Sequence, residues 1–195
     1  MRKTKAETEE TIQLLLETAI KHFSKHGYAN ASLEGIVAES GLTRGAVYHH
    51  FKNKKGLFLA CVESIQKRIA DKIEQEASTS PDQWEQLLLG CRAFIATSIE
   101  QDHKQIILMD GPAVIGWNDW RQLDANYSMK LLYSQLDQMQ QNGYFPTLSV
   151  ESLTHSLSGA MNESALWIAE QGNRDLIEES MDVLRVYFEG LKKLS

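Results

Sequence analysis

The side chains best able to do chemistry lie between residues 32 and 55, in the stretch SLEGIVAESGLTRGAVYHHFKNKK. Their chemistry is recognition rather than bond making. Arg44 can donate paired hydrogen bonds to a guanine edge, Ala46 can touch a thymine methyl, and Gly45 permits close backbone approach. Lys54 and Lys55 stand where a helix begins, a place the macrodipole makes unfavourable for cations. A phosphate at that helix N-terminus reverses the cost. Ser32 can cap a helix or donate to a phosphate by the same logic. Thr43 can cap the helix that Arg44, Gly45 and Ala46 open. Phosphates and base edges together are what double-stranded DNA presents.

Two short helices must position these groups. Ser32 starts the first, and Ile36 with Val37 gives it an apolar face. Gly41 sits where the chain needs a positive φ, and Leu42 fills the turn. The second helix follows Thr43. Two helices joined by a short glycine-containing turn form a helix-turn-helix, whose second helix enters the major groove. Before them, the spacing predicts a helix from Thr4 or Thr8 to Lys25, with Thr4 and Glu7 at capping-box spacing. Its apolar face is Ile12, Leu15, Leu16, Ala19, Ile20 and Phe23, and Gly27 is its left-handed C-terminal residue. Arg2, Lys3 and Lys5 can add a basic arm or form a disordered end. A fourth helix starts after Asn53 and carries Leu57, Phe58, Cys61, Val62, Ile65 and Ile69 to about Ala77.

Further helices are expected at about 84–100, 119–141, 150–171 and 174–192. STSPDQ at 78–83, Asn142-Gly143 and Gly172-Asn173 separate them. Ser149 and Asn173 are the expected caps of the last two. Gln105 to Asp110 is a short apolar segment that Gly111-Pro112 should break.

The 195 residues suffice for one large or two small domains, and only 3 are proline, which favours a nearly all-helical chain. No apolar run approaches the ~18 residues of a membrane span. The N-terminal MRKTKAETEE has no apolar h-region, so cytoplasmic residence and no membrane partner are expected. Cys61 and Cys91 suit a reducing compartment and read as small buried hydrophobes, with a thiol sensor as the alternative. The net charge of −6 argues against DNA binding only as an average. Residues 1–56 carry 9 basic and 6 acidic side chains, and the remainder 11 and 20. A basic front and an acidic back suit one phosphate-facing region on a body that avoids DNA.

The stretch GYANASLEGIVAESGLTRGAVYHHFKNKKGLF at 27–58 resembles the DNA-binding head of TetR-type (AcrR-like) bacterial transcriptional regulators. Gly27-Tyr28, Ile36 with Ala38, Gly41-Leu42, Gly45, Val47 to Phe51, and Asn53-Lys54 with Leu57 carry the resemblance. DGPAVIGWNDWR at 110–121 resembles a segment of one branch. Lys55 and Gly56 depart from the pattern, which often has an acidic residue at 55, and the departure weakens that helix start. The resemblance assigns Tyr48 and His49 to phosphates, contacts that position rather than specify. It also implies an all-α homodimer whose C-terminal domain holds a ligand pocket, and release of the operator when a small molecule fills it. The organisation is then a helix-turn-helix DNA-binding domain at 1–56, a connecting helix at 54–77, and a helical effector-binding and dimerisation domain at 78–195.

Phe94, Met109, Asp110, Trp117, Trp120, Tyr127, Met161 and Trp167 are the candidate pocket residues, each equally able to serve as plain core. Pro112 and Gly116 interrupt helicity beside them and can open space; Asp110, Asn126 and Asn162 are candidate polar contacts for a lipophilic effector. Val150, Leu153, Leu157, Ala160, Leu184, Tyr187, Phe188 and Leu191 are candidate dimer contacts, or else cover the monomer's own core. Two adjacent histidines, His49 and His50, do not face each other, and no partner has ligand spacing, so neither metal nor cofactor is expected. No paired carboxylates, nucleophile elbow or phosphate-cradling loop supports an enzyme; His103 with Asp102 or Asp110 comes nearest. The competing function is a DNA-binding protein without an effector, either architectural or partner-controlled, with a solidly packed body.

Overall fold

A computed structural model describes residues 5–194. Arg2, Lys3 and Thr4 lie outside the described residues, as does the Lys5 side chain. The fold is all-α. The helices are α1 (Lys5–Asn30), α2 (Leu33–Ser40), α3 (Arg44–Phe51), α4 (Lys54–Ala77) and α5 (Gln83–Ser98). A π-helical segment, Gln105–Asp110, leads into α6 (Gly111–Ile115), and then come α7 (Trp117–Asn126), α8 (Ser128–Gln141), α9 (Val150–Gln171) and α10 (Leu176–Lys192).

Packing divides the chain into two compact units, one reaching to Ile65 and including Gln101–Trp120, the other made of Gln66–Glu100 and the residues from Arg121 onward. This partition differs from sequence boundaries at 56 and 78, because Gln101–Trp120 packs on α1. The cause is local. Gly27 adopts φ 68°, ψ 163° inside α1, so the helix kinks there instead of ending at Lys25. The kink leaves the Tyr28 amide without a helical acceptor, and it donates to Asp110 Oδ2 at 2.7 Å. Ser24 Oγ donates to the Gln101 carbonyl at 2.6 Å, a second tie to the same segment. Phe23, Tyr28 and Phe58 form the aromatic centre of this unit, with Phe23 and Phe58 edge to face at 5.1 Å. Leu15, Ala19, Ile36, Val47 and Leu57 are fully buried around them.

Gly111-Pro112 does not break the chain as expected. Proline fits the first turn of α6, where its missing N–H goes unneeded, and the break falls at Gly116. The helix expected at 119–141 is two helices, parted at Tyr127 (φ −118°, ψ −95°). Asp175, not Asn173, precedes α10; Asn173 Oδ1 instead accepts from the Asp175 amide. In the second unit, Trp84 packs against Tyr144, Phe145 and Phe188. Arg92 fastens α5 to α10 through Glu178 at 2.8 Å.

Gly56, the departure noted in the sequence, has a steric reason. A Cβ at this position would stand 2.1 Å from the Phe51 carbonyl oxygen. The chain turns from α3 into α4 within two residues, and Asn53 Oδ1 caps the new helix by accepting from the Gly56 amide at 2.9 Å. Gly56→Ala is expected to cost about 1–3 kcal/mol, as overpacking does. Urea denaturation checks this, and an unchanged midpoint would refute it.

Candidate nucleic-acid interface and effector cavity

The turn between α2 and α3 is built as the sequence suggests. Ser32 Oγ accepts from the Gly35 amide at 3.0 Å, and Gly41 takes φ 66°. Thr43 Oγ1 accepts from the Ala46 amide at 3.3 Å. Each cap contributes about 1 kcal/mol, and each hydroxyl keeps its proton for an outside acceptor. Val47 anchors α3 in the core. Thr43, Arg44, Gly45, Tyr48 and His49 are exposed, and Ala46 and His50 half-buried. A Cβ on Gly45 would meet nothing nearer than Thr43 Oγ1 at 3.9 Å, so its own fold does not demand glycine.

Arg44 is exposed but engaged by its neighbours. Its guanidinium donates to the Tyr48 hydroxyl at 3.1 Å, lies over that ring, and pairs with Glu34 at 3.3 Å. Lys54 serves its own unit: Nζ donates to the Ala29 carbonyl at 3.4 Å and sits 4.4 Å from the centre of the Tyr28 ring. Lys55 is exposed. The cationic surface at the start of α4 therefore rests more on Lys55 than on Lys54.

The second unit contains a cavity of about 240 Å³. Ile73, Leu87, Phe94, Leu132 and Met161 supply apolar wall, and Asp124, Ser128, Gln135 and Ser158 supply polar groups. Of the expected pocket residues, Phe94 and Met161 are brought here. Met109, Asp110, Trp117 and Trp120 belong to the other unit, because the kink in α1 claims their segment. Asp110 is engaged by the Tyr28 amide, Trp120 Nε1 donates to the Ile107 carbonyl at 2.8 Å, and Met109 and Trp117 are exposed. Tyr127 is half-buried at the α7–α8 break and Trp167 is exposed on α9; neither lines the cavity. Asn126 is exposed.

Asp124 is almost completely buried on the cavity wall. It accepts from Arg121 at 2.7 Å and from Ser158 and Asn162 at 3.4 Å each. Burial raises its carboxyl above the usual carboxylate range, and Arg121, Asn162 and Ser158 oppose that shift. Ser128 Oγ is buried on the same wall without a hydrogen-bond partner, a group that an entering ligand could satisfy. Cys91 also lines the cavity, and burial pushes its thiol up to about 12, which suits an inert apolar side chain rather than a sensor.

Helices α9 and α10 leave a shallow apolar groove between Leu153, Leu157, Ala160, Val186, Tyr187 and Leu191. Val183 and Val186, which the sequence reading passed over, are among the more exposed apolar residues, at 52% and 69%. Val150, Leu184 and Phe188 instead lie in the unit's own core. Sequence reasoning also passed over His22 and His26, four residues apart on α1. With Glu39 of α2 they form a three-residue cluster of metal-ligating types among the described residues.

A family model described as "Bacterial regulatory proteins, tetR family" matches residues 15–61, and one described as "Tetracyclin repressor-like, C-terminal domain" matches residues 84–191. A solved TetR-family transcriptional regulator from Pectobacterium atrosepticum is 33% identical, with 97% of each chain covered and a TM-score of 0.78. The HTH-type transcriptional regulator AcrR of Shigella flexneri is 40% identical over 82 residues, 42% of this chain and 38% of that protein. A probable acrEF/envCD operon repressor of Escherichia coli K12 is 47% identical over 57 residues, 29% of this chain and 26% of that one. The chain thus spans well under half the length of these two curated relatives.

The buried carboxyl has a pH consequence. A folded-state pKa raised above 3.8 means that the native protein holds this proton more tightly than the unfolded chain does. The associated stability is complete below 3.8 and is lost as pH rises through the raised value. Asp124→Asn, which cannot ionise, is expected to lose less stability than the parent over that rise. Denaturant midpoints measured for both proteins across pH test this, and parallel curves would count against it.

Proposed function

Because this chain belongs to the TetR family of bacterial regulatory proteins, we propose that it is a ligand-responsive repressor that binds a palindromic operator as a homodimer. A small lipophilic molecule releases it. The observation that carries the DNA-binding part is the outer face of α3. Arg44, Gly45, Tyr48 and His49 are exposed on a helix anchored through Val47, and a guanidinium stands at the helix start. The first residues of such a helix reach base edges, while Tyr48, His49, Lys55, Ser32 and Thr43 suit phosphates. Lys54 adds positive charge from its place over Tyr28.

The effector reading rests on the cavity of the second unit. Its walls are mostly apolar, with a few placed polar groups, the usual make-up of a small-molecule site. At about 240 Å³ it suits a compact ligand. Ile73, Glu74 and Ala77 on its wall belong to α4, the helix that begins with Lys54 and Lys55. A ligand that binds better to one arrangement of two DNA-binding heads than to another biases which of them is populated. The dimer reading rests on the α9–α10 groove. A dimer matches half-sites about 34–36 Å apart, or a multiple of that. This reading is favoured over an architectural DNA-binding protein with no effector, because the body is not packed solid.

The test is binding of the pure protein to DNA from upstream of its own gene, with random DNA as competitor. Selective, salt-sensitive binding by a dimer supports the reading. No selectivity across a genomic library would end it. Arg44→Ala is expected to lose roughly 1–3 kcal/mol of base discrimination. Lys55→Ala should weaken binding to all sequences alike and reduce the salt slope by about 1. Lys55 is the cleaner phosphate probe, since Lys54→Ala also removes the contact with Tyr28. Val186→Asp, on the exposed rim of the groove, is expected to yield monomers in analytical ultracentrifugation without lowering helix content; a dimer that persists would move the interface elsewhere.

A further inference from the structure

We propose that His22, His26 and Glu39 form a binding site for a zinc-class divalent transition metal that fastens α1 to α2 within the helix-turn-helix unit. Histidines four apart on a helix lie on one face, one turn from each other. Their rings are 4.6 Å apart, centre to centre. The fold brings a carboxylate of α2 to that face, and the three potential ligand atoms lie within 4.8 Å of one another. Around a tetrahedral zinc ion, with bonds near 2.0–2.2 Å, ligand atoms stand roughly 3.3–3.6 Å apart. Small rotations of the exposed His26 and Glu39 side chains close the difference.

A second observation concerns His22 alone. Its side chain is only 9% exposed, and Nδ1 lies 3.0 Å from Glu39 Oε1. That approach lacks the angle of a hydrogen bond, so the buried nitrogen has no hydrogen-bond partner. An orphaned buried nitrogen is costly, and a metal ion would satisfy it. The ring is also fixed from behind. A Cβ on Gly35 would come within 2.8 Å of His22 Cε1 and 3.1 Å of Nε2, so α2 bears no side chain where the ring leans. Nε2 therefore faces α2, and Nδ1 faces Glu39. His26 and Glu39 reach solvent and can admit an ion with a water as fourth ligand. Two imidazoles and one carboxylate suit Zn²⁺, Co²⁺ or Ni²⁺ and not Mg²⁺ or Ca²⁺, which require oxygen. The bound ion would join α1 to the helix preceding α3, and the stability of the head would rise with metal concentration.

The experiment titrates full-length, tag-free protein with Zn²⁺ by calorimetry and with Co²⁺ by visible absorption, and follows thermal unfolding with and without Zn²⁺. One ion per chain, a tetrahedral Co²⁺ spectrum and a melting temperature raised by Zn²⁺ are expected. His26→Gln and Glu39→Gln, both at the surface, should each weaken binding by more than the roughly 10-fold loss caused by removing an outer-shell partner. A His49→Gln/His50→Gln variant should bind Zn²⁺ and Co²⁺ as the parent does, whatever it does to DNA binding. Should one of the two site variants fail to fold, the Co²⁺ spectrum of the other decides. No saturable binding, binding unchanged in both site variants, or binding that follows His49 and His50 would each overturn the proposal. In those cases the approach of His22 to Glu39 is a packing contact between α1 and α2.

Discussion

The recognition helix is eight residues long, and an isolated helix of that length is not stable in water. The DNA-binding reading depends on the apolar clamp that holds it. Val47 is its single fully buried side chain, and Ile36 gives α2 the same fixed point. Phe23 from α1 and Phe58 from α4 close edge to face around the shared core. Val47 turns one side of α3 into the core, and Arg44, Gly45, Tyr48 and His49 stay exposed on the other. The glycine turn at 41 and the hydroxyl caps at 32 and 43 set the angle at which they are presented.

The kink at Gly27 has consequences far along the chain. A continuous helix would have satisfied the Tyr28 amide itself. Once φ is 68°, that amide needs another acceptor, and Asp110 provides it from more than eighty residues away. The bond brings the π-helical segment and α6 against α1, and with them Trp117 and Trp120. A carboxylate that looks like a ligand contact in sequence is spent on backbone, and two tryptophans that look like pocket walls belong to the helix-turn-helix unit.

The second unit solves a different problem, a buried carboxyl beside an empty space. Asp124 is tolerated because Arg121, Ser158 and Asn162 converge on one oxygen. Arg121 comes from the preceding turn of the same helix, while Ser158 and Asn162 stand one turn apart on α9. The network thus ties α7 to α9 beside the cavity and leaves Ser128 Oγ unsatisfied on its wall. Polar bonds of this kind need exact geometry, so they also fix the cavity's shape.

The sequence by itself determined the local structure. Ser32, Gly41, Thr43 and Ser149 cap or turn the chain where their own backbone chemistry requires, and the apolar spacing of Leu15, Ala19 and Phe23 gives the buried face of α1. Tertiary structure alone decided the long-range pairings: Asp110 with Tyr28, Arg92 with Glu178, and His22 with Glu39. It also decided which aromatics reach the cavity and which of the α9 and α10 side chains stay outside. Periodicity tells that a residue faces something apolar, but not which helix supplies that surface. Caps and turns act over three or four residues, where chain geometry fixes the partner; pairings across tens of residues depend on the whole packing.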